Sequence, residues 1–448
     1  MVVKGVLAGT ITNPENLRLV VQVQRHGNRG SSKVYRHLVK EGHEHENFEE
    51  GRALHYETAV PQLQKLAGYS RQKYAAAFDF NVTGVRQWSK FFRAASTDTE
   101  RTLESARITL EHLFPNMQSA DLMSKLEVRA PESDLSTHLG KKNCKLYDAM
   151  RLQAAQSDAQ AYIAEFVNFL ALKWLKPLRL GLLEHHSDLS ADPMDSVFIT
   201  DRSDTELNML LDNVVSISSY VHWAHAYAGI PMKFLTLDKG IYIPNMCEII
   251  VETKLYSKVH AHNFLNQLPA YKLLFDEVVP EVRKALVNDG PAQYRYFMTH
   301  QETLGPLLQS VGFETYRRSE PGASLFFEVY KKGQETRVVT HYRTEENPDL
   351  KLYHYDQSSE DFFELLEDVY SEFTHVFGDR PAKRICDMDW EQFEALCAEK
   401  GMPFELVTGK DYLQAMSRQL HFDHILEEFD TKYNKEMKKL QEMQIEDL

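Results

Sequence analysis

Arg25-His26-Gly27-Asn28-Arg29 places one imidazole between two guanidinium groups. Guanidinium offers a planar fork of donors that fits phosphate oxygens, and a neutral imidazole is a competent nucleophile. The chemistry such a stretch would carry is phosphoryl transfer. Taken alone the signal is weak, because an Arg-His-Gly tripeptide occurs by chance in roughly a few per cent of chains this long. Its plain alternative is a solvated strand end. A phosphate-cleaving histidine needs partners, and two later stretches offer polar groups in the same setting: Ser96-Thr97-Asp98-Thr99-Glu100-Arg101 and His300-Gln301-Glu302.

All three stretches sit where a strand gives way to a helix. Leu17, Leu19, Val21 and Val23 alternate with Arg18, Val20, Gln22 and Gln24, the period of a strand ending at the basic cluster. A helix is predicted from about Ser32, with Val34, Tyr35, Leu38 and Val39 on one face. Trp88 to Ala95 reads as a second strand, Thr97-Asp98-Thr99-Glu100 has capping-box spacing, and Leu103, Ala106, Leu110 and Leu113 recur at helical period before Pro115. Tyr294 to Met298 reads as a third strand. Its helix carries Leu304, Leu307, Leu308 and Val311, with Pro306 in the first turn and Gly312 at the end. Turns of this kind lie beyond the carboxyl ends of parallel strands, where open α/β sheets bind ligands. Ala323–Tyr330 and Arg337–Tyr342 flank a Lys331-Lys332-Gly333-Gln334 turn and read as a hairpin extending the sheet.

The fold class expected is α/β, a mostly parallel central sheet flanked by helices, with an inserted helical subdomain closing over it. The sheet domain would comprise 1–128 and 290–375, the helical insert 129–289, and a C-terminal helical extension 376–448. The acidic helix from Leu420 onward reads as a solvated surface or a homodimer contact.

Composition narrows the classes of function. The 448 residues suffice for a large core, and 51 Lys+Arg against 65 Asp+Glu leave a net charge of −14. That balance disfavours a nucleic-acid binder and requires a local basic pocket for any anionic substrate. No run approaches the roughly 18 apolar residues of a membrane span. The N-terminal apolar stretch is too short for a secretory signal, and Cys144, Cys247, Cys386 and Cys397 are scattered without CxxC spacing. Neither a disulfide scaffold nor a metal site is expected, and a reduced, cytoplasmic location follows. Asn81-Val82-Thr83 is a glycosylation sequon that matters only in a secreted chain.

The three stretches together resemble the histidine acid phosphatases. The resemblance rests on Arg25-His26-Gly27-Asn28-Arg29, on Ser96 to Ala106 leading to Leu113-Phe114-Pro115, and on His300-Gln301-Glu302-Thr303-Leu304. Weaker echoes are Arg71-Gln72-Lys73-Tyr74, Asn143-Cys144-Lys145-Leu146-Tyr147-Asp148 and Pro321 to Glu328, in an order that agrees from about residue 17 to 370.

The resemblance implies hydrolysis of a small phosphomonoester without metal or other cofactor. His26 would be the nucleophile that becomes a phosphohistidine, Arg25 and Arg29 would hold phosphoryl oxygens, and His300 would add a donor. Many members carry His-Asp, but here Gln301 follows His300 and cannot act as an acid. His-x-Glu is similar to the branch of the multiple inositol polyphosphate phosphatases, which makes Glu302 the proton donor. The family's next phosphate arginine is expected immediately before Ser-Thr-Asp, where this chain has Ala95. Arg93, on the same strand face and about 6 to 7 Å away, is the substitute that strand alternation offers, with a surface or salt-bridged arginine as the alternative. Asp98 and Arg101 read as a cap and a structural ion pair. Lys33, Arg36, His37 and Lys40 read as a solvated helix face, with a basic pocket extension as the alternative.

Two other functions remain open on these residues. One is a catalytically weak or inactive relative that binds a phosphorylated ligand or protein, motivated by Ala95 and Gln301. The other is a mutase-like phosphotransferase, since that wider superfamily shares the Arg-His-Gly nucleophile.

Overall fold

The computed structural model describes residues 11–30, 38–40, 53–130, 132–137, 139, 143–171, 204–226, 229–231, 236–237, 241–313, 315–344 and 354–446. Of the helix expected from Ser32, residues 31–37, with Lys33, Arg36 and His37, lie outside the described residues, while Leu38 and Val39 are buried and Lys40 is exposed. Two compact units emerge. The first comprises Met1–Gly30, Arg52–Arg151 and His262–Phe404, the second Ser31–Gly51, Leu152–Ala261 and Glu405–Leu448. The helical insert expected at 129–289 thus contributes its two ends to the sheet unit, and the C-terminal extension is divided between the units.

The first unit is built on a sheet of seven strands: β1 Leu17–Arg25, β2 Phe92–Thr97, β3 Leu126–Arg129, β4 Gln293–Thr299, β5 Ser324–Lys332, β6 Glu335–Arg343 and β7 His354–Ser358. Their spatial order is β3-β2-β4-β1-β5-β6-β7. The pairings among β3, β2, β4 and β1 are parallel, and β5, β6 and β7 add antiparallel neighbours. The hairpin is therefore present, with Gly333 at φ +63° in its turn. The second strand starts at Phe92, later than its apolar run suggested. Trp88 belongs instead to a helical turn, Val85–Trp88, and packs on Phe92 at 5.2 Å and Phe114 at 6.0 Å.

β1 is covered on both faces, so its alternating glutamines are buried along with its aliphatic residues. They persist there because each is fully engaged. The Tyr294 hydroxyl donates to Gln22 Oε1 at 2.6 Å and the Tyr296 hydroxyl to Gln24 Oε1 at 2.8 Å. Gln22 Nε2 donates to Ser324 Oγ at 3.0 Å and Gln24 Nε2 to the Gly322 carbonyl at 3.1 Å. This network ties three adjacent strands just below the turn that carries His26.

Cys144 and Cys386 form a disulfide across a sequence separation of 242, which corrects the expectation that the cysteines stay free. Pairs so distant leave no spacing signature in the sequence. Closing a loop this long is worth roughly 2–5 kcal/mol in the chain-entropy account. Reduction is expected to lower the unfolding temperature of the native protein, measured by calorimetry with and without dithiothreitol. An unchanged transition after confirmed reduction would count against that contribution.

The second unit is helical, with Asp158–Leu170, Asp204–Ala226, Ile243–Thr253, Gly409–Leu420 and Asp423–Glu446 as its main elements and a short ribbon pairing Thr236–Leu237 with Ile241–Tyr242. The charged C-terminal helix is not merely a solvated face. Ile425, Leu426 and Phe429 are buried, and Phe429 meets Phe166 at 5.3 Å. Among the described residues no helix is long and apolar enough to cross a membrane.

Candidate active site

The strand register brings the three turns to one level. Arg25 at the end of β1 pairs with Thr299 at the end of β4, and Gln24 and Ser96 both lie opposite Met298. The chain thus leaves the sheet at Arg25-His26, at Thr97-Asp98 and at Thr299-His300 along a single rim. Adjacent parallel strands stand about 4.8 Å apart, so side chains from these turns share one crevice.

His26 is held by its backbone from both sides. Its N–H donates to the Thr299 carbonyl at 3.0 Å, and its carbonyl accepts from the Gly322 N–H at 2.9 Å. Gly27 lies so close to the helix Tyr56–Tyr74 that a Cβ would stand 3.0 Å from Ala59 Cβ and from Leu63 Cδ1. The Gly27 N–H donates to Ser105 Oγ at 3.0 Å, and that hydroxyl donates to the Arg101 carbonyl at 2.6 Å. Asn28 continues the anchoring, donating its N–H to Gln62 Oε1 at 3.1 Å and its amide Nδ2 to Thr58 Oγ1 at 2.8 Å. Gly322, opposite, has φ +72°, and a Cβ there would meet the Gln62 side chain at 2.9 Å.

These contacts set the state of the imidazole. His26 Nδ1 lies 2.8 Å from the Gly27 carbonyl, which accepts only, so Nδ1 carries the proton and Nε2 keeps its lone pair. Burial, then the charge of Arg25, then His300 and Arg101, push the His26 pKa well below the ordinary histidine value. The shift favours the neutral ring over the imidazolium.

His300, just after β4 at the N-cap of the helix Gln301–Ser310, is buried, its ring centroid 5.5 Å from that of His26 in an edge-on arrangement. Arg101 Nη2 donates to His300 Nδ1 at 3.0 Å. Guanidinium only donates, so Nδ1 is the acceptor and the His300 proton sits on Nε2. With Nδ1 accepting, the donor that His300 can offer is its Nε2–H.

Arg101, read from the sequence as half of a structural ion pair, has a contact that reading did not include. It occupies the first turn of the helix Glu100–Leu113, reaches His300 and acts electrostatically on His26. The N-cap position is Thr99, without a side-chain capping bond, while Asp98 is exposed. Arg93 lies elsewhere. It is exposed opposite Arg295, which pairs with Glu281 at 3.0 Å. Thr97 is four residues further along β2, about 13 Å at strand rise. The sequence did contain a signal for Arg101: helix N-termini at the carboxyl ends of parallel strands aim first-turn side chains at the crevice.

Arg25 joins the same crevice, its N–H donating to the Ala323 carbonyl at 2.9 Å and its Nη1 to the Ser319 carbonyl. Arg29 bridges to Leu54 at the loop's far end, with Nη1 donating to the Gly30 carbonyl at 3.4 Å. Glu302 stands half-buried in the first turn of the helix Gln301–Ser310. Burial raises the pKa of the nearby Tyr147 hydroxyl, and the Glu302 charge pushes it in the same direction. Pro306 is the sixth residue of this helix and not in its first turn, so it withholds the N–H that would have bonded the Glu302 carbonyl. Beneath the turns, the Thr137 carbonyl accepts from the hydroxyls of Thr299 and of Thr303, the latter at 3.0 Å. Asp134 holds that loop by accepting from the Ser136 and Thr137 N–H groups, each at 2.9 Å.

No protein-family model and no curated relative matches the chain. Solved structures do. The phytase from D. castellii aligns with TM-score 0.53 at 13% identity, covering 83% of this chain and 81% of its own. The Klebsiella sp. ASR1 phytase aligns with TM-score 0.50 at 12% identity, covering 80% and 95%. A Bifidobacterium longum multiple inositol polyphosphate phosphatase, solved with inositol hexasulfate, aligns at 0.48 and 13%, covering 75% and 88%. The sheet and its flanking helices have the histidine acid phosphatase fold.

Proposed function

We propose that the chain hydrolyses small phosphomonoesters through a covalent phosphohistidine on His26. The observation that carries this reading is a buried, neutral His26 with its Nδ1 proton tied to Gly27 and with Arg25, Arg101 and His300 beside it. In the first step Nε2 attacks phosphorus as the bond to the ester oxygen breaks. Arg25, Arg29 and Arg101 oppose the negative charge of the phosphoryl oxygens, and the His300 Nε2 proton adds a neutral donor. Glu302, as the carboxylic acid, gives its proton to the departing alkoxide. In the second step the Glu302 carboxylate takes a proton from water, whose oxygen attacks phosphorus and releases inorganic phosphate from Nε2. The test is phosphate release from an aryl phosphate together with acid-labile, base-stable labelling of the protein. Absence of both from acid to neutral pH would sink the proposal.

Two outcomes follow for the wild type and the acid. The depressed His26 pKa keeps the nucleophile unprotonated as pH falls through 6.5, the ordinary histidine value. The acid limb of kcat/KM is therefore expected well below that value, and a limb at 6.5 would contradict the environment assigned to His26. Glu302→Gln removes the transferable proton while keeping the shape. Turnover is expected to drop by roughly 10²–10⁴, with a smaller loss for substrates whose leaving groups need no protonation. Equal losses for good and poor leaving groups would remove Glu302 from the acid role.

The disulfide bears on where the protein works. We place it in an oxidising compartment and not in the cytoplasm that the scattered cysteines suggested, because such bonds persist where thiols are not kept reduced. Thiol alkylation of protein taken directly from its source cells tests this. Cys144 and Cys386 should resist the reagent.

A further inference from the structure

The residue that departs most plainly from the expected pattern is Gln301, lodged between His300 and Glu302. It is half-buried at the start of the helix Gln301–Ser310, and its Oε1 accepts from the Ser319 hydroxyl at 3.0 Å. Ser319 is itself buried, and its carbonyl accepts from Arg25 Nη1. Gly305, one turn further along the helix, leaves room for the amide: a Cβ there would stand 3.2 Å from Gln301 Nε2.

We propose that Gln301 is a positioning residue, which through Ser319 sets where the Arg25 guanidinium stands relative to His300 and Glu302. The inference rests on the phosphate chemistry proposed above and adds a residue to it. The helix that starts at Gln301 carries Glu302 and begins beside His300, while the segment from Ser319 to Ala323 frames Arg25 and His26. Gln301 joins these two walls of the crevice through one partly buried hydrogen bond. A neutral amide suits the task. It accepts from the hydroxyl without placing a second carboxylate beside Glu302, which would both compete for Arg25 and repel the phosphoryl group.

Substitution tests the relay. Gln301→Ala and Ser319→Ala each delete one side of the hydrogen bond, and the double variant deletes both. Each single change is expected to lower kcat/KM for an aryl phosphate by about tenfold and to weaken binding of inorganic phosphate by a similar factor. The double variant should be no worse than either single one, because the second change removes nothing further. Gln301→Glu keeps an acceptor oxygen for Ser319 but adds the charge that repels a phosphoryl group, so its phosphate affinity should stay below that of the wild type. Losses that multiply in the double variant, or wild-type kcat, KM and phosphate affinity in Gln301→Ala, overturn the relay.

Failure of the hydrolase reading shows itself separately. If the wild type releases no phosphate, a crystal structure of Gln301→Ala still decides the matter. An Arg25 guanidinium displaced together with Ser319 supports the relay, and one left in place overturns it.

Discussion

His26→Ala is expected to cut phosphate release by roughly 10⁵-fold or more, and to abolish phosphoenzyme labelling altogether. The size follows from covalent catalysis. Without Nε2 no bond to phosphorus can form, and what remains is water attacking a phosphoryl group that the arginines still hold. The variant should fold, because the backbone bonds at residue 26 run to the Thr299 carbonyl and from the Gly322 N–H, and alanine keeps both. It should also retain inorganic phosphate, since Arg25, Arg29, Arg101 and His300 are untouched. Rapid-quench labelling with a ³²P-labelled substrate, alongside phosphate binding by calorimetry, reads both halves. Labelling that persists on another residue would move the nucleophile elsewhere, and lost phosphate binding would mean that the imidazole shapes the cradle more than it reacts.

Arg101→Ala should lower kcat/KM by roughly 10³-fold, whereas Arg93→Ala should leave it within about twofold. The contrast follows from placement. Arg101 leaves the first turn of its helix directly into the crevice, where it contributes positive charge and donates to His300 Nδ1. Removing it has a second effect, because His300 Nδ1 is no longer obliged to accept. The ring is then free to move its proton away from Nε2, and the neutral donor is lost with the guanidinium. Arg101→Lys keeps the charge without the fork and should fall between the two. Arg93 is exposed, opposite the buried Arg295 in the strand register, so its loss removes a like-charge neighbour of Arg295 and no phosphate contact. Steady-state kinetics on the three variants decides. A large loss in Arg93→Ala with a small one in Arg101→Ala would restore the strand arginine to the role that position 95 lacks.

The contrast between these arginines marks how far local sequence pattern reaches. Strand alternation in Leu17–Arg25, the helix after Thr99 and the hairpin around Gly333 are local patterns, set by backbone periods of a few residues and by turn chemistry. They were legible, and with them the nucleophile, His300 and Glu302 as candidates. Alternation along β2 pointed to Arg93 because it compares only neighbours on one strand. It carries no information about how far along the strand the crevice lies.

Distance from the crevice was decided by pairing between remote segments. Once Arg25 lies opposite Thr299, the rim is defined, and a helix starting just beyond β2 delivers Arg101 to it. The disulfide between Cys144 and Cys386 and the Gln301–Ser319–Arg25 chain are of the same kind. The sequence by itself determined which groups are candidates for the proposed phosphate chemistry, because residue type and local period are properties of short stretches. Which guanidinium stands beside His300, and what holds it there, only the tertiary structure decided, because those contacts depend on register between segments that the chain order keeps far apart.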